Sequence, residues 1–186
     1  MNTPDPELII NQIVDLYDRF GTATYGEHIN QIEHAVQCAR LAQQADADAE
    51  LISAALLHDI GHLLDAVDGE HGNFKHDSFG AKFLARDFGP AVSEPVRLHA
   101  QAKRYLCRVE ADYYDCLSPA SKFSLEKQGG LMAPEEVRAF EQQPHFAAAV
   151  ALRRWDDQGK DEQLSSGSVA AFAPALRAAL AAARRT

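Results

Sequence analysis

The chain has 186 residues, 46% of them apolar, and its formal net charge is −9 at pH 7. This length suits one domain with a normal core, and the acidic balance argues against nucleic acid or an anionic membrane as the main partner. The first ten residues lack the regions of a signal peptide, and no stretch reaches the roughly 20 apolar residues of a membrane span. Cys38, Cys107 and Cys116 match no zinc spacing, so we expect reduced core thiols in a soluble, cytoplasmic protein.

Helical periodicity dominates the sequence, and no alternating strand pattern or internal repeat interrupts it. In chain order, the predicted helices cover residues 4–20, 28–44, 47–64, 77–88, 91–106, 118–130, 133–143, 145–160 and 172–185. The third of these is predicted as one continuous helix, and the polar residues 65–76 after it as a loop. Asp77 or Ser78 is expected to cap the fourth helix. The pattern predicts an all-α bundle of about seven to nine helices.

Residues 51–64, LISAALLHDIGHLL, form an apolar stretch that contains His58, Asp59 and His62. Burying such groups costs free energy unless each finds a strong partner. A metal ion is such a partner, because imidazole nitrogens and carboxylate oxygens suit iron, manganese and zinc. Neighbours on a regular helix differ in direction by about 100°, so the adjacent pair can straddle one ion at a helix end or let the carboxylate bridge two ions. Gly61 gives the backbone room to approach another helix.

The remaining candidate ligands lie on other predicted helices or helix ends: His34, His76, His99 and Asp156. A single buried histidine is more often a satisfied core residue than a metal ligand. An HD dipeptide in an apolar helix, with an upstream His and a downstream Asp, is much harder to obtain by chance. His28, His71 and His145 lie in loop-like or helix-end surroundings, and we expect no role for them in a site.

Four of these residues form the pattern H…HD…D, which resembles the HD-domain superfamily: His34, His58, Asp59 and Asp156. That superfamily has an all-α fold and consists largely of metal-dependent phosphohydrolases. His76 and His99 lie between the HD pair and the last Asp, and they resemble the two-metal branch. This branch includes some HD hydrolases and also the mixed-valent di-iron oxygenases.

The resemblance sharpens in longer strings: YGEHINQIEHAVQCARLA, ALLHDIGHL, HAQAKRYL, YYDCLSPASKFSLEKQGG, AFEQQP and LRRWDDQGK. These strings look like the small HD-domain oxygenases that cleave the carbon–phosphorus bond of 1-hydroxy-2-aminoethylphosphonates. The resemblance implies an HD-domain helical bundle in a single domain over residues 1–186, with a core at about residues 24–162. The C-terminal helix would pack on that core.

The resemblance also implies two iron ions, as an Fe(II)/Fe(III) pair, with dioxygen as co-substrate. Iron 1 would be bound by the four residues of the H…HD…D pattern: His34, His58, Asp59 and Asp156. Iron 2 would be bound by His76, His99 and the shared, bridging Asp59. Iron 2 then has few protein ligands, which leaves positions open for substrate.

Six residues are candidate substrate contacts: His62, Lys103, Ser121, Ser124, Gln128 and Arg153. His62, Lys103 and Arg153 each lie three or four residues from a candidate ligand, hence on the same helix face. A phosphonate dianion needs such clustered donors, while a solvated charge or a surface ion pair is the alternative for the two cations. The other three recur at helical spacing in the string that resembles the family's phosphonate-contacting segment, where ordinary polar positions are equally expected. His62 and Lys103 are also candidate catalytic residues.

Two further candidate catalytic residues, Tyr25 and Glu27, precede the second predicted helix. In the resembled family the matching Glu approaches the substrate ammonium, although a Glu here could simply favour the helix dipole. Glycine-forming relatives place a tyrosine three residues before this Glu, where it caps iron 2. Here that position is Thr24, and the tyrosine follows it. Either Tyr25 does the capping, or a roomier gate accepts a trimethylammonium group, which aromatic faces attract.

The resemblance implies a non-haem di-iron dioxygenase of organophosphonate degradation, with a small organophosphonate as its partner. It would cleave the carbon–phosphorus bond to give phosphate and glycine, or glycine betaine where the nitrogen is methylated. The alternative is a metal-dependent HD phosphohydrolase of nucleotides or phosphate monoesters, which needs only the H…HD…D residues. A non-catalytic HD-type binding module is a third hypothesis, against which the intact ligand set argues.

Overall fold

A computed structural model describes residues 4–24, 28–68, 75–164 and 167–185, and all its regular elements are helical, which confirms the all-α prediction. The helices are α1 Pro6–Phe20, α2 Gln31–Gln44, α3 Ala49–Leu57, α4 Ile60–Asp68, α5 His76–Leu84, α6 Pro90–Val109, α7 Tyr113–Cys116, α8 Pro119–Lys127, α9 Pro134–Glu141, α10 Phe146–Gln158 and α11 Ala173–Ala183. A short 3-10 helix, Val169–Phe172, precedes α11. The described part of the chain therefore holds more helices than predicted, because one predicted helix is broken in two and the single turn α7 was not expected. None of the described helices is long and apolar enough to cross a bilayer.

Side chains begin several of the helices as their sequences predict. Four N-terminal caps accept a backbone N–H with a side-chain oxygen: Asp5, Asn30, Asp48 and Ser118. Helix α5 is the exception, because it begins at His76 after Lys75, which makes no side-chain cap. The predicted cap at Asp77 or Ser78 is therefore wrong. Asp77 lies inside the first turn, where its negative charge favours the helix dipole.

The predicted continuous helix over residues 47–64 is also wrong, because the chain leaves the α-helix at residues 58–59, between α3 and α4. The carbonyl of Ala55 accepts a hydrogen bond from Nδ1 of His58 at 2.9 Å. The carbonyl of Leu56 accepts one from the hydroxyl of the fully buried Tyr17 at 2.9 Å. These carbonyls would serve the amides of residues 59 and 60 in a continuous helix. The break sets the HD pair on a turn between two helices.

The core joins the helices that carry the candidate ligands. Its main cluster contains residues of α1 to α6, α10 and α11, and α6 contacts α3, α5 and α10. Helix α6 has 20 residues and is about 30 Å long, so it runs along much of the molecule. Gly61 brings α4 against α5, as predicted, since a Cβ there would lie 2.0 Å from the carbonyl oxygen of His76. The fold thereby fixes where the first residue of α5 lies.

The C-terminal helix α11 packs on α1 and α3. Leu176 and Leu180 are fully buried in the main core cluster together with Ile13. The single-domain organisation stays a prediction. All three cysteines are free thiols, but only Cys38 and Cys107 are buried. The expectation of a core thiol is wrong for Cys116, which is exposed at the end of the single turn α7.

Candidate metal centre and active site

Two of the predicted ligands, His34 on α2 and His58 after α3, meet with their rings in a T-shaped contact. Their Nε2 atoms are 3.2 Å apart. Asp156 on α10 places Oδ1 3.3 Å from Nε2 of His34 and 3.9 Å from Nε2 of His58. All three side chains are buried. We call His34, His58 and Asp156 the first cluster.

A second pair of imidazoles forms where α5 and α6 meet. His76 is the first residue of α5 and His99 lies in the middle of α6, and their Nε2 atoms are 3.1 Å apart. The ring of His62 stacks on that of His76 with the centroids 4.0 Å apart. We call His76 and His99 the second pair. It contains imidazoles alone, whereas the first cluster contains a carboxylate.

Asp59 lies between the first cluster and the second pair and turns one carboxylate oxygen towards each. Its Oδ2 is 3.5 Å from Nε2 of His58 and 3.8 Å from Nε2 of His34. Its Oδ1 is 3.4 Å from Nε2 of His76 and 3.8 Å from Nε2 of His99. A carboxylate in this position can bridge two metal ions, which lie about 3.5–4 Å apart in two-metal sites.

Backbone carbonyls fix which nitrogen of three imidazoles carries the proton. Nδ1 of His34 is 2.8 Å from the carbonyl oxygen of Gly159. Nδ1 of His58 and of His99 are 2.9 and 2.6 Å from the carbonyl oxygens three residues earlier. A carbonyl only accepts, so each Nδ1 donates and Nε2 of the neutral ring carries a lone pair. Lone pairs that face each other at about 3 Å repel unless a cation lies between them, so these donors fit first-row metal ions.

The charge states of His58, His99 and Asp59 suit metal binding. Burial lowers the pKa of His58, and burial together with the nearby His76 lowers the pKa of His99 well below its usual value. Both rings are therefore neutral, which is the form that binds metal. Burial opposes ionisation of Asp59, but the imidazoles of His58, His62 and His76 lower the pKa of this carboxyl far below its ordinary value. Asp59 is therefore a carboxylate.

The surroundings of the first cluster favour a positive charge at His34. Burial disfavours a charged His34 ring, but Cys38 and Asp156 outweigh it and raise its pKa well above the usual value. Burial opposes ionisation of Asp156, but the guanidinium of Arg153 holds its pKa well below the usual range. Cys38 lies beside the His34 ring, yet burial raises the pKa of its thiol and the thiol donates to the carbonyl of Trp155. Because the thiolate is the ligand form, Asp156 is the better third donor.

A cavity of about 410 Å³ opens beside the first cluster and the second pair. Its lining residues are Ile29, Gln31, His34, Asp59, His62, His76, His99, Ala100, Lys103, Ala120, Ser121, Phe123, Ser124, Gln128, Arg153, Asp156 and Lys160. All six predicted substrate contacts are in this set. Lys103, Arg153 and Lys160 are cationic, so the wall suits a small anion that also reaches the candidate ligands.

Two serines of α8 each accept a hydrogen bond from one lysine of the cavity wall. Nζ of Lys103 donates to Oγ of Ser124 at 2.6 Å, and Nζ of Lys160 donates to Oγ of Ser121 at 3.4 Å. Burial, with the positive charge of Arg153, lowers the pKa of Lys103 from 10.5 to about 8. Both lysines thus lie where charge-assisted hydrogen bonds to a bound anion would replace contacts to serine hydroxyls.

Gln128, at the C-terminal end of α8, carries an unsatisfied polar atom. Its Oε1 is buried and has no hydrogen-bond partner among the described residues. A buried acceptor without a donor costs about 1–3 kcal/mol. Because Gln128 lines the cavity, a donor on a bound molecule could satisfy it.

Arg153 also reaches the cavity, but carboxylates occupy most of its donors. Nη1 donates to Oδ2 of Asp156 at 2.5 Å, and Nε donates to Oδ2 of Asp157 at 3.2 Å. Nη2 donates to Oδ1 of Asp157 as well. Only a long contact of 3.5 Å joins Nη2 to Oγ of Ser121. The guanidinium is thus bound first to acids and only secondarily to the cavity wall.

Sequence reasoning misses six residues of the wall: Ile29, Gln31, Ala100, Ala120, Phe123 and Lys160. Lys160 lies four residues after Asp156 inside the predicted helix over residues 145–160, so helical spacing could have pointed to it. In the structure α10 ends at Gln158, and Lys160 follows Gly159. Phe123 lines the cavity while 56% exposed. No pattern distinguishes it from an ordinary surface aromatic residue.

The predicted residues Tyr25 and Glu27 lie outside the described residues, and so does His71. His28 is exposed and His145 is half-buried, and neither lines the cavity. The structure therefore brings together all the predicted ligands and contacts that it describes, and it leaves these two histidines apart from them.

Comparison with known proteins supplies independent evidence. The model of the HD domain family matches residues 32–138. A hydroxymethylphosphonate dioxygenase of Gimesia maris is 48% identical over 156 residues, which are 81% of this chain and 78% of that protein. A glycine-betaine-forming [1-hydroxy-2-(trimethylamino)ethyl]phosphonate dioxygenase of Leisingera caerulea is 37% identical over 175 residues, which are 91% of this chain and 89% of that protein. An uncharacterized protein of Acanthamoeba polyphaga mimivirus is 35% identical over 158 residues, which are 81% of this chain and 72% of that protein.

Proposed function

This chain belongs to the HD-domain family and is an oxygenase, and from that premise we propose that it cleaves the carbon–phosphorus bond of a 1-hydroxyalkylphosphonate with dioxygen. The observation that carries the proposal is the shared Asp59 between two groups of imidazoles, beside a cavity whose wall bears Lys103 and Lys160. The two groups of donors would bind two metal ions, and the lysines would bind the phosphonate.

We propose two iron ions for the two groups of donors. The first would be held by the first cluster and Asp59, and the second by the second pair and Asp59. When bound, these ions supply the redox chemistry with dioxygen, which no side chain of the cavity can supply. The protein orients three imidazoles through backbone carbonyls and keeps Asp59 ionised, so Asp59, His58 and His99 are in their binding form.

The phosphonate would lie against the lysines and serines of α8 and its neighbours. Lys103 and Lys160 neutralise the phosphonate charge and position its oxygens by charge-assisted hydrogen bonds. Ser121, Ser124 and the amide of Gln128 add neutral hydrogen bonds. His62 stacks on His76 at the same wall. Its ring can therefore donate to a phosphonate oxygen while C1 of the substrate faces the second pair.

The reaction balances without any further oxidant. A 1-hydroxyalkylphosphonate dianion and one dioxygen give a carboxylate, hydrogen phosphate and one proton, with the C–P bond and the C1–H bond broken. By atom count, one oxygen atom is added to carbon and one to phosphorus. As the C–P bond breaks, the charge on the departing phosphorus group stays beside Lys103 and Lys160, which stabilise it electrostatically.

The substituent on C1 decides between three substrates. The carboxylates that line the described part of the cavity are Asp59 and Asp156, and we assign both to metal ions. An ammonium group would therefore depend on Glu27, as the sequence prediction of an aminoethyl or trimethylammonioethyl substrate requires. Without that contribution the wall favours hydroxymethylphosphonate, whose C1 carries no charged substituent. The name of the relative that is 48% identical points the same way.

The test is oxygen-dependent release of phosphate by iron-loaded protein from hydroxymethylphosphonate, 1-hydroxy-2-aminoethylphosphonate and its N-trimethyl form. We expect release in air from at least one of them, with oxygen consumed in equal amount, and none under argon. His99→Ala should lose the reaction, while His145→Ala, a histidine away from the cavity, should keep it. Phosphate release from monoesters under argon would instead support the hydrolase, and no release from any phosphonate in air would overturn the proposal.

A further inference from the structure

Arg153 is held in place by one candidate ligand, Asp156, and by two residues that are not candidate ligands, Asp157 and Tyr113. Its guanidinium is only 4% exposed and lies between Asp156 on one side and Asp157 on the other. Asp157 receives two parallel hydrogen bonds, from Nε and Nη2, which is the fork geometry that holds an arginine most firmly. The remaining nitrogen, Nη1, donates to Oδ2 of Asp156.

Tyr113 closes this arrangement from a different element, the single turn α7. Its hydroxyl accepts a hydrogen bond from Nε of Arg153 at 3.1 Å and donates one to Oδ2 of Asp157. Burial and the Asp157 carboxylate keep the pKa of Tyr113 above its usual value, so the hydroxyl retains the proton that it donates. Tyr113 and Asp157 do not line the cavity. Their hydrogen bonds reach the cavity wall through Arg153.

The consequence falls on the carboxylate of Asp156. Because Arg153 binds Oδ2, the other oxygen, Oδ1, is the one that faces Nε2 of His34 at 3.3 Å and Nε2 of His58 at 3.9 Å. A buried carboxylate without this partner could rotate and offer both oxygens. With Arg153 bound to Oδ2, the carboxylate of Asp156 offers only Oδ1 to a metal ion.

We propose that Tyr113 and Asp157 are positioning residues that, through Arg153, hold Asp156 so that it binds the first metal ion with a single oxygen. The inference rests on the proposed metal centre but not on the substrate or on the oxidation. Partners that orient a metal ligand commonly account for about 10–100-fold in metal affinity. Asp157 and Tyr113 should therefore affect ion binding without touching the ion.

The test is Co(II) titration of the metal-free protein, followed by visible absorption and by metal analysis after dialysis. Asp157→Asn keeps the shape but loses the charge, and we expect about tenfold weaker binding of the first ion and an altered absorption spectrum. Tyr113→Phe, which removes one hydrogen bond and no charge, should weaken the binding of this ion by a smaller factor. Glu110→Gln is the matched control, because Glu110 pairs with the neighbouring Arg154 at the exposed surface and should leave both readouts unchanged.

The outcomes separate this inference from the proposed function. Wild-type affinity and spectrum in both Asp157→Asn and Tyr113→Phe would overturn the inference, even if the protein is an oxygenase. If Asp157→Asn does not fold, Tyr113→Phe decides alone by the same criterion. Weaker binding in the variants of a protein that oxidises no phosphonate would support the inference and overturn the function.

Discussion

The first cluster and the second pair use the same imidazole donors but differ in what surrounds them. In the first cluster Asp156 adds a buried carboxylate, and Arg153 holds one of its oxygens. Among the described residues the second pair has no carboxylate beyond the shared Asp59, and His62 and Lys103 lie with it along the cavity wall. The difference teaches that a chain can give one proposed ion more protein ligands than another. We expect the second ion, with fewer ligands, to have room for substrate and dioxygen.

Removal of Asp59 should give the largest effect, because this residue serves both sides of the comparison. In Asp59→Ala we expect both ions to bind poorly and phosphate release to fall at least about a thousandfold, since a lost ion forfeits several kcal/mol of stabilisation. Metal analysis after dialysis and a phosphate assay are the measurements. Asp77→Ala, next to His76 but outside the cavity, serves as the control. Two tightly bound ions in Asp59→Ala would contradict the bridging role.

His76→Ala should separate the two sides. We expect one ion to remain, held by the first cluster, and the second to be lost, with turnover reduced at least about a hundredfold because the substrate loses its site. Metal stoichiometry before and after dialysis measures the first effect and phosphate release the second. A variant that binds two ions, or none, would show that the first cluster and the second pair are not independent. His145→Ala should match the wild type.

Gly61→Ala tests how the fold places the second pair. The added Cβ would lie 2.0 Å from the carbonyl oxygen of His76, which is backbone and cannot rotate away. We expect about 3 kcal/mol lower free energy of unfolding, which is about 10 °C in melting temperature for a chain of this size. The second ion should bind more weakly than the first. Gly89→Ala, whose Cβ would meet only ordinary contacts at 3.6 Å, is the control; equal melting temperatures would contradict the prediction.

The smallest effect concerns pH and the lysine beside the second pair. Burial and the charge of Arg153 lower the pKa of Lys103 to about 8, so its ammonium is present below that pH and lost above it. Because the ammonium attracts the phosphonate, kcat/KM should fall as pH rises through about 8, by about tenfold at pH 9. Lys103→Arg keeps its charge throughout this range, so its profile should lose the alkaline decline. The same decline in that variant would assign it to another group.

The sequence indicated which candidate ligands lie close together better than it indicated their surroundings. Four of these ligands follow the pattern H…HD…D: His34, His58, Asp59 and Asp156. This pattern can be found even where the ends of the predicted helices are inexact. The break at residues 58–59 could not be predicted, because it depends on the hydroxyl of Tyr17, which is distant in sequence. A local pattern contains no information about that contact.

The same reason explains the network around Arg153. Spacing correctly placed Arg153 on the face of Asp156, and the two side chains are in contact. Its hydrogen bond with Tyr113 depends on α7, a single turn that is too short to show helical periodicity in the sequence. Lys160 lies beyond the end of α10, and its contact with Ser121 is visible only in the folded chain. Sequence thus carries side-chain chemistry and local periodicity, while contacts between irregular segments require the folded chain.

His58 and His99 each lean on the carbonyl three residues earlier in the chain, that of Ala55 and that of Val96. The neighbouring backbone therefore orients both rings independently of a metal ion. Many small zinc domains, by contrast, fold only around their metal. A chelator should consequently remove the metal ions without unfolding the protein, and metal that is added later should bind again to the same side chains.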